Sequence, residues 1–111
     1  LDCEKMEQAI LNIVLNSIDA MPKGGRLEIA IGESEYEGRR MMRVDVTDTG
    51  IGMSPEQKKK IFDPFFTTKS TGVGLGLSNV KKIIEGHEGV IKVKSKVNEG
   101  TTFSFMLPTE Q

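Results

Sequence analysis

Two helix-period stretches and four alternating stretches, each apolar on one side only, restrict this chain to a few architectures. From about Asp2 to Met21 the apolar positions Met6, Ile10, Ile13, Val14, Ile18 and Met21 recur at spacings of three and four, the period of an amphipathic helix. Pro22 and the Gly24-Gly25 pair end it. Leu27, Ile29 and Ile31 then alternate with Glu28, Ala30 and Gly32, and after a polar turn around Glu35 to Gly38 a second alternation runs Met42, Val44, Val46. These predict a hairpin of half-buried strands. Ser54-Pro55-Glu56 has the form of a helix start, with Ser54 as N-cap and Pro55 at the first helical position, and a short helix follows to Ile61. Asp63 to Val73 has no period and reads as a loop. A second long helix is expected from about Leu75 to Glu85, with Leu77, Val80, Ile83 and Ile84 as its apolar face, and two strands, Val90 to Val97 and Thr101 to Leu107, follow. Elements with one apolar side must pair those sides. The expected fold is therefore α/β, a two-layer sandwich with the helices on one face of a mixed sheet and the other sheet face open to solvent. Lys92, Lys94 and Lys96 on one side of a strand suit that open face.

Composition narrows the class further. At 111 residues with a formal net charge of −1, the chain is expected to be one globular domain, and it lacks the basic excess of a general nucleic-acid binder. The single Cys3 rules out an internal disulfide framework. No run of about 18 apolar residues and no leader pattern occurs, so neither membrane insertion nor export of this segment is expected.

The residues that could carry chemistry are concentrated. On the first helix Asn12, Asn16 and Asp19 lie at i, i+4 and i+7 and share one side, which is either a solvated face or a surface used for binding. Neutral amide oxygens there could hold a hard cation such as Mg²⁺ without neutralising it. In the second strand, Asp48 is next in phase after Met42, Val44 and Val46, so its carboxylate points toward the core. Such a group needs a dedicated partner, unless it caps the turn that follows. Of twelve glycines, five are Gly50, Gly52, Gly72, Gly74 and Gly76, and of five phenylalanines three, Phe62, Phe65 and Phe66, lie between those two clusters. Gly72 to Leu77 runs directly into the second long helix, where free backbone N–H groups and the helix dipole could cradle phosphate. Lys69 in the preceding loop could reach phosphate or be solvated. The only histidine, His87, sits in a helix-to-strand turn, and no catalytic triad assembles around it.

In this order the pieces resemble the ATP-binding catalytic domain of bacterial sensor histidine kinases, within the GHKL superfamily of Bergerat-fold nucleotide binders. Asn12-Ile13-Val14-Leu15-Asn16-Ser17-Ile18-Asp19-Ala20 is similar to the N box of that family, and Asp48-Thr49-Gly50-Ile51-Gly52-Met53 to its G1 box. Ile61-Phe62-Asp63-Pro64-Phe65-Phe66 is similar to the F box, Gly72 to Leu77 to the G2 box, and Gly100-Thr101-Thr102-Phe103 to the last glycine–threonine motif. The resemblance implies ATP and Mg²⁺ as ligands. Asp48 would accept from the adenine amine, with Gly50 in the same box, and Gly52 would let the base approach the backbone. Asn16 would coordinate Mg²⁺, with Asn12 supporting the phosphates or the metal. Lys69 and the N–H groups around Gly72, Gly74, Leu75, Gly76 and Leu77 would hold the triphosphate, and Thr102 would line the base pocket. Residues 63–73 would form the ATP lid, with Phe65 or Phe66 anchoring it and Phe62 and Phe65 counted in the ATP site; its compactness resembles the nitrogen-regulation type of sensor kinase.

The resemblance also separates kinase from ATPase. Superfamily ATPases carry a glutamate one turn before the metal-binding asparagine, and here that position is Asn12, whose amide cannot take a proton from water. The expected activity is transfer of the γ-phosphoryl group of ATP to a histidine on a separate dimerisation domain, in a protein that in turn serves a response regulator. No acceptor segment is seen, so this chain should bind ATP without phosphorylating itself, as a fragment located in the cytoplasm whether or not its parent is membrane-anchored. The family usually places a strand before the first long helix, where only Leu1 to Cys3 stand here. Two other activities fit the same motifs: a non-catalytic module that reports bound nucleotide to a partner, and a serine or threonine kinase of the anti-sigma-factor type.

Overall fold

A computed structural model of the chain describes residues 3–63 and 74–109. Helix α1 spans Cys3–Asp19, strand β1 Leu27–Tyr36, β2 Arg39–Asp48, helix α2 Pro55–Lys60, α3 Gly74–Gly86, β3 Val90–Lys96 and β4 Gly100–Pro108. Every expected element is present. The first hairpin is longer than its polarity suggests, because Glu33 to Glu35 are strand and the reversal is made by Glu37 and Gly38 alone, both at positive φ (49° and 80°). A two-residue turn of that hand matches the twist of the strands it joins. Helix α2 is short but well started: Ser54 Oγ accepts from Gln57 N at 3.2 Å while Gln57 Oε1 accepts from Ser54 N at 2.9 Å, with Pro55 at the first position.

The four strands form one sheet in the order β1-β2-β4-β3. It was expected to be mixed, but all three pairings are antiparallel. The segment after β2 returns through α2 and α3 to β3 at the far edge, and the tight hairpin from β3 then inserts β4 between them. Val46 consequently faces Ile29 on one side and Phe103 on the other, and Phe103 in turn faces Val93.

Helices α1 and α3 pack against each other on one face of this sheet. Ala9 and Ile13 from α1, Leu77, Val80 and Ile84 from α3, and Val44, Val46, Phe103, Phe105 and Leu107 from the sheet form the buried core. Each large side chain fully removed from water there contributes about 1.5–3 kcal/mol before ordering entropy is charged against it. The helices do not cover the whole face. Ile29 and Ile31 are in phase with the core, yet they are 50% and 70% exposed on the edge strand β1.

The other face is more closed than expected. Met41 and Met106 point away from the helices and are nevertheless buried. The Tyr36 ring lies across this side, with Lys92 Nζ 5.7 Å from its centroid. Farther along, Arg43 Nε is 3.0 Å from Asp45 Oδ1, and Thr47 and Thr102 share a 3.1 Å hydrogen bond between hydroxyls.

Candidate functional site

The site is built where the ends of α1 and β2 meet the β3–β4 turn. As the alternation predicts, Asp48 is buried on the helix side of β2. Its Oδ1 accepts from Gly50 N at 2.9 Å, so the carboxylate does bond the turn that follows it. It also forms the floor of a narrow cleft of about 90 Å³. Asn16, Asp19 and Ala20 from α1 line one wall, and the segment Ile51-Gly52-Met53 with Gln57 and Ile61 lines the other.

Two glycines hold this arrangement together. A Cβ at Gly50 would lie 2.2 Å from the carbonyl oxygen of Ala20, so only glycine lets the strand end dock on the end of α1, where Ile51 N donates to Ala20 O at 2.9 Å. Gly52 has φ +70° and presses against Lys96, whose carbonyl oxygen a Cβ would meet at 1.9 Å. Around it Asn98 N donates to Ile51 O at 2.7 Å and Met53 N donates to Ser95 Oγ at 2.7 Å. The segment opposite Asn16 is thereby tied to the β3–β4 turn.

Of the residues singled out in the sequence, Asn16, Asp19, Asp48 and Gly52 come together in the cleft. Gly50 supports it from behind. Asn12 is half-buried one turn before Asn16 and does not line the cleft. Phe62 stands outside it, half-buried beyond α2, its ring edge-on to Phe103 with centroids 6.4 Å apart and Lys81 Nζ 5.4 Å from its own. Leu77 is a core residue, 1% exposed, and Gly74 to Gly76 form the first turn of α3. Phe65, Lys69, Gly72 and nearly all of the expected lid lie outside the described residues.

Thr102 does not line the cleft wall beneath Asn16. It faces the open side of the sheet, bonded to Thr47, and Thr101 takes its place in the cleft. The signal was available in the alternation: Thr101 is in phase with the buried Phe103, Phe105 and Leu107 and lies directly across from Asp48 in the β2–β4 register. Gln57 was also missed, although its spacing from Ser54 is that of a capping box. His87 lies in a different concavity, with Lys5, Gln8 and Lys82, and its Nδ1 is 2.7 Å from the carbonyl oxygen of Ile83.

Among the described residues no group of three or more His, Cys, Asp or Glu side chains could by itself hold a metal ion. A single amide oxygen beside an open cleft, as at Asn16, suits an ion that keeps its waters and shares its ligands with a phosphate. No helix among them is long and apolar enough to cross a membrane.

Comparison with known proteins gives the chain a family and its fold known counterparts. The whole chain, residues 1–111, matches the family described as histidine kinase-, DNA gyrase B-, and HSP90-like ATPase. The sensor histidine kinase ZraS of Salmonella typhimurium is 43% identical over 107 residues, which are 96% of this chain and 22% of that protein. The chain thus spans about a fifth of the length of that curated relative. Among solved structures, the mycobacterial sensor histidine kinase MprB superposes with a TM-score of 0.83 at 28% identity, covering 97% of this chain and 72% of that one. The catalytic domain of histidine kinase ThkA, nucleotide-free, gives a TM-score of 0.80 at 41% identity, covering 96% of this chain and 68% of that one.

Proposed function

The chain belongs to the histidine kinase-, DNA gyrase B-, and HSP90-like ATPase family and is similar throughout to sensor histidine kinases, and from that premise we propose that it is the ATP-binding catalytic domain of such a kinase. It would donate the γ-phosphoryl group of ATP to a histidine on a separate dimerisation domain. The observation that carries this reading is the buried carboxylate of Asp48 on the floor of a cleft whose opposite rim bears Asn16.

Asp48 is a fixed acceptor. With Oδ1 already bonded to Gly50 N, its carboxylate is oriented before any ligand arrives, and it suits an exocyclic amine of a purine. Ile51, Met53 and Ile61 offer apolar surface to the flat faces of such a base. Asn16, on the rim, would ligate Mg²⁺, which when bound would neutralise charge on the phosphates. Residues 69–76 would hold the far end of the triphosphate. No carboxylate stands at position 12 to activate water, so the domain would position ATP and leave the attack to an imidazole nitrogen of the acceptor, with ADP as leaving group. The acceptor domain and a response regulator would be its partners, and the cytoplasm its compartment.

Titration of the chain with ATP, in the presence and absence of Mg²⁺, tests the binding step. Saturable binding strengthened by Mg²⁺ is expected, and Asp48→Ala should weaken it by at least a hundredfold, about 2.7 kcal/mol. Undiminished binding by that variant contradicts the assignment of the cleft.

A further inference from the structure

Ser95 on β3 is buried and does not line the cleft, yet three groups converge on its hydroxyl. Met53 N donates to Ser95 Oγ at 2.7 Å, the Gly100 carbonyl oxygen lies at 3.0 Å, and Thr101 Oγ1 lies at 2.7 Å. A serine hydroxyl has one proton and two lone pairs. The amide can only donate and the carbonyl can only accept, so a single arrangement satisfies all three contacts. Met53 N–H and Thr101 O–H donate to Ser95, and Ser95 donates to Gly100.

The consequence falls on Thr101. Its only proton is turned away from the cleft, and both its lone pairs remain as acceptors beside Asp48, its direct neighbour across the β2–β4 ladder. The sheet floor then offers a carboxylate and a hydroxyl oxygen, and neither can donate. Exchange with water cannot easily reset this polarity, because Ser95 and Thr101 are only 8% and 6% exposed.

We propose that Ser95 is a positioning residue that fixes the polarity of the Thr101 hydroxyl, so that the cleft floor selects a purine bearing an amine at the edge it reads and rejects one bearing an oxo group there. The proposal rests on the reading of this cleft as a nucleotide site. Thr101 is the residue that faces the base, and Ser95 acts only through it. Ser95→Ala frees the Thr101 hydroxyl to rotate and donate into the cleft, where an oxo group can accept it.

The test is calorimetric titration of the chain and its variants with Mg²⁺ and either ATP or inosine triphosphate, which carry an amine or an oxo group at that edge, the oxo base also bearing a proton on its neighbouring ring nitrogen. The unmodified chain should prefer ATP. In Ser95→Ala that preference should fall about tenfold, roughly one redirected hydrogen bond, through relatively tighter binding of inosine triphosphate. Thr101→Val leaves the bonds from Met53 to Ser95 and from Ser95 to Gly100 in place. It should weaken ATP several-fold and leave inosine triphosphate unchanged, and it decides the matter alone if Ser95→Ala does not melt cooperatively. Equal weakening of both nucleotides in either variant overturns the proposal, as does a loss that falls on inosine triphosphate in Thr101→Val. Absence of ATP binding by the unmodified chain overturns the nucleotide reading and this proposal with it.

Discussion

Ser17 is the one described residue whose buried side-chain oxygen has no hydrogen-bond partner. It lies one turn beyond Ile13 on the core side of α1 and is fully buried. An orphaned hydroxyl forfeits its hydration without recompense, so Ser17→Ala should stabilise the fold by about 1 kcal/mol. Chemical denaturation at constant m-value checks this, and a loss of stability would mean that the hydroxyl has a partner. Asp48 and Thr101 teach a different lesson at the same scale. Asp48 was legible because three apolar residues in its strand set the phase that carries it inward. Thr101 was equally legible in principle, but the resemblance pointed one position further, and a one-residue shift in a strand reverses the face.

At the scale of elements, the segment after β2 depends on a backbone that other residues cannot adopt. Gly52→Ala would combine a left-handed conformation with a contact of 1.9 Å to a carbonyl oxygen that cannot rotate away. A loss of about 2–4 kcal/mol is expected in thermal or urea unfolding. Gly32→Ala is the control: nothing lies within 4 Å of a Cβ there, and stability should be unchanged or slightly raised. The open side of the sheet makes a pH-dependent contribution. Burial acts to raise the Asp45 carboxyl, but hydrogen bonds from Ser104 and Arg43 and the charges of Arg43 and Lys94 outweigh it and hold the group below its ordinary value of 3.8. A carboxylate lowered in the folded state contributes stability that is complete above the unfolded value and is lost as pH falls through the folded one. Asp45→Asn should therefore flatten the acid limb of the stability profile below about pH 4 and leave its shape at neutral pH unchanged. Parallel melts from pH 2 to 7 would show it, and identical acid limbs would argue against it. The elements themselves were readable from periodicity, and their pairing was not. That β4 lies between β2 and β3 depends on contacts far apart in sequence, which no local pattern encodes. The first turn falls at Glu37-Gly38, inside the stretch the sequence marks, and only the extension of the strand through Glu33 to Glu35 was hidden, because on an exposed edge polar side chains carry no penalty. The burial of Met41 and Met106 was hidden because alternation puts both on the sheet face away from the helices, which was expected to be open to solvent.

For the whole molecule, the proposed function is a division of labour between domains. In the proposed reading the cleft around Asp48 would read an amine and Asn16 would hold the metal, while position 12, one turn earlier, carries an amide that cannot activate water. Its one histidine is turned to a carbonyl at the end of α3, in a concavity separate from the cleft. In the proposed function the reactive nucleophile would come from another domain. The most direct test is to incubate the chain with γ-labelled ATP and Mg²⁺, alone and with an added helical dimerisation domain bearing a histidine, and to follow acid-labile label on each polypeptide. Label is expected on the added domain only, and should be lost when the chain carries Asp48→Ala. Stable label on His87 of this chain, or release of inorganic phosphate with no protein labelled, would contradict it.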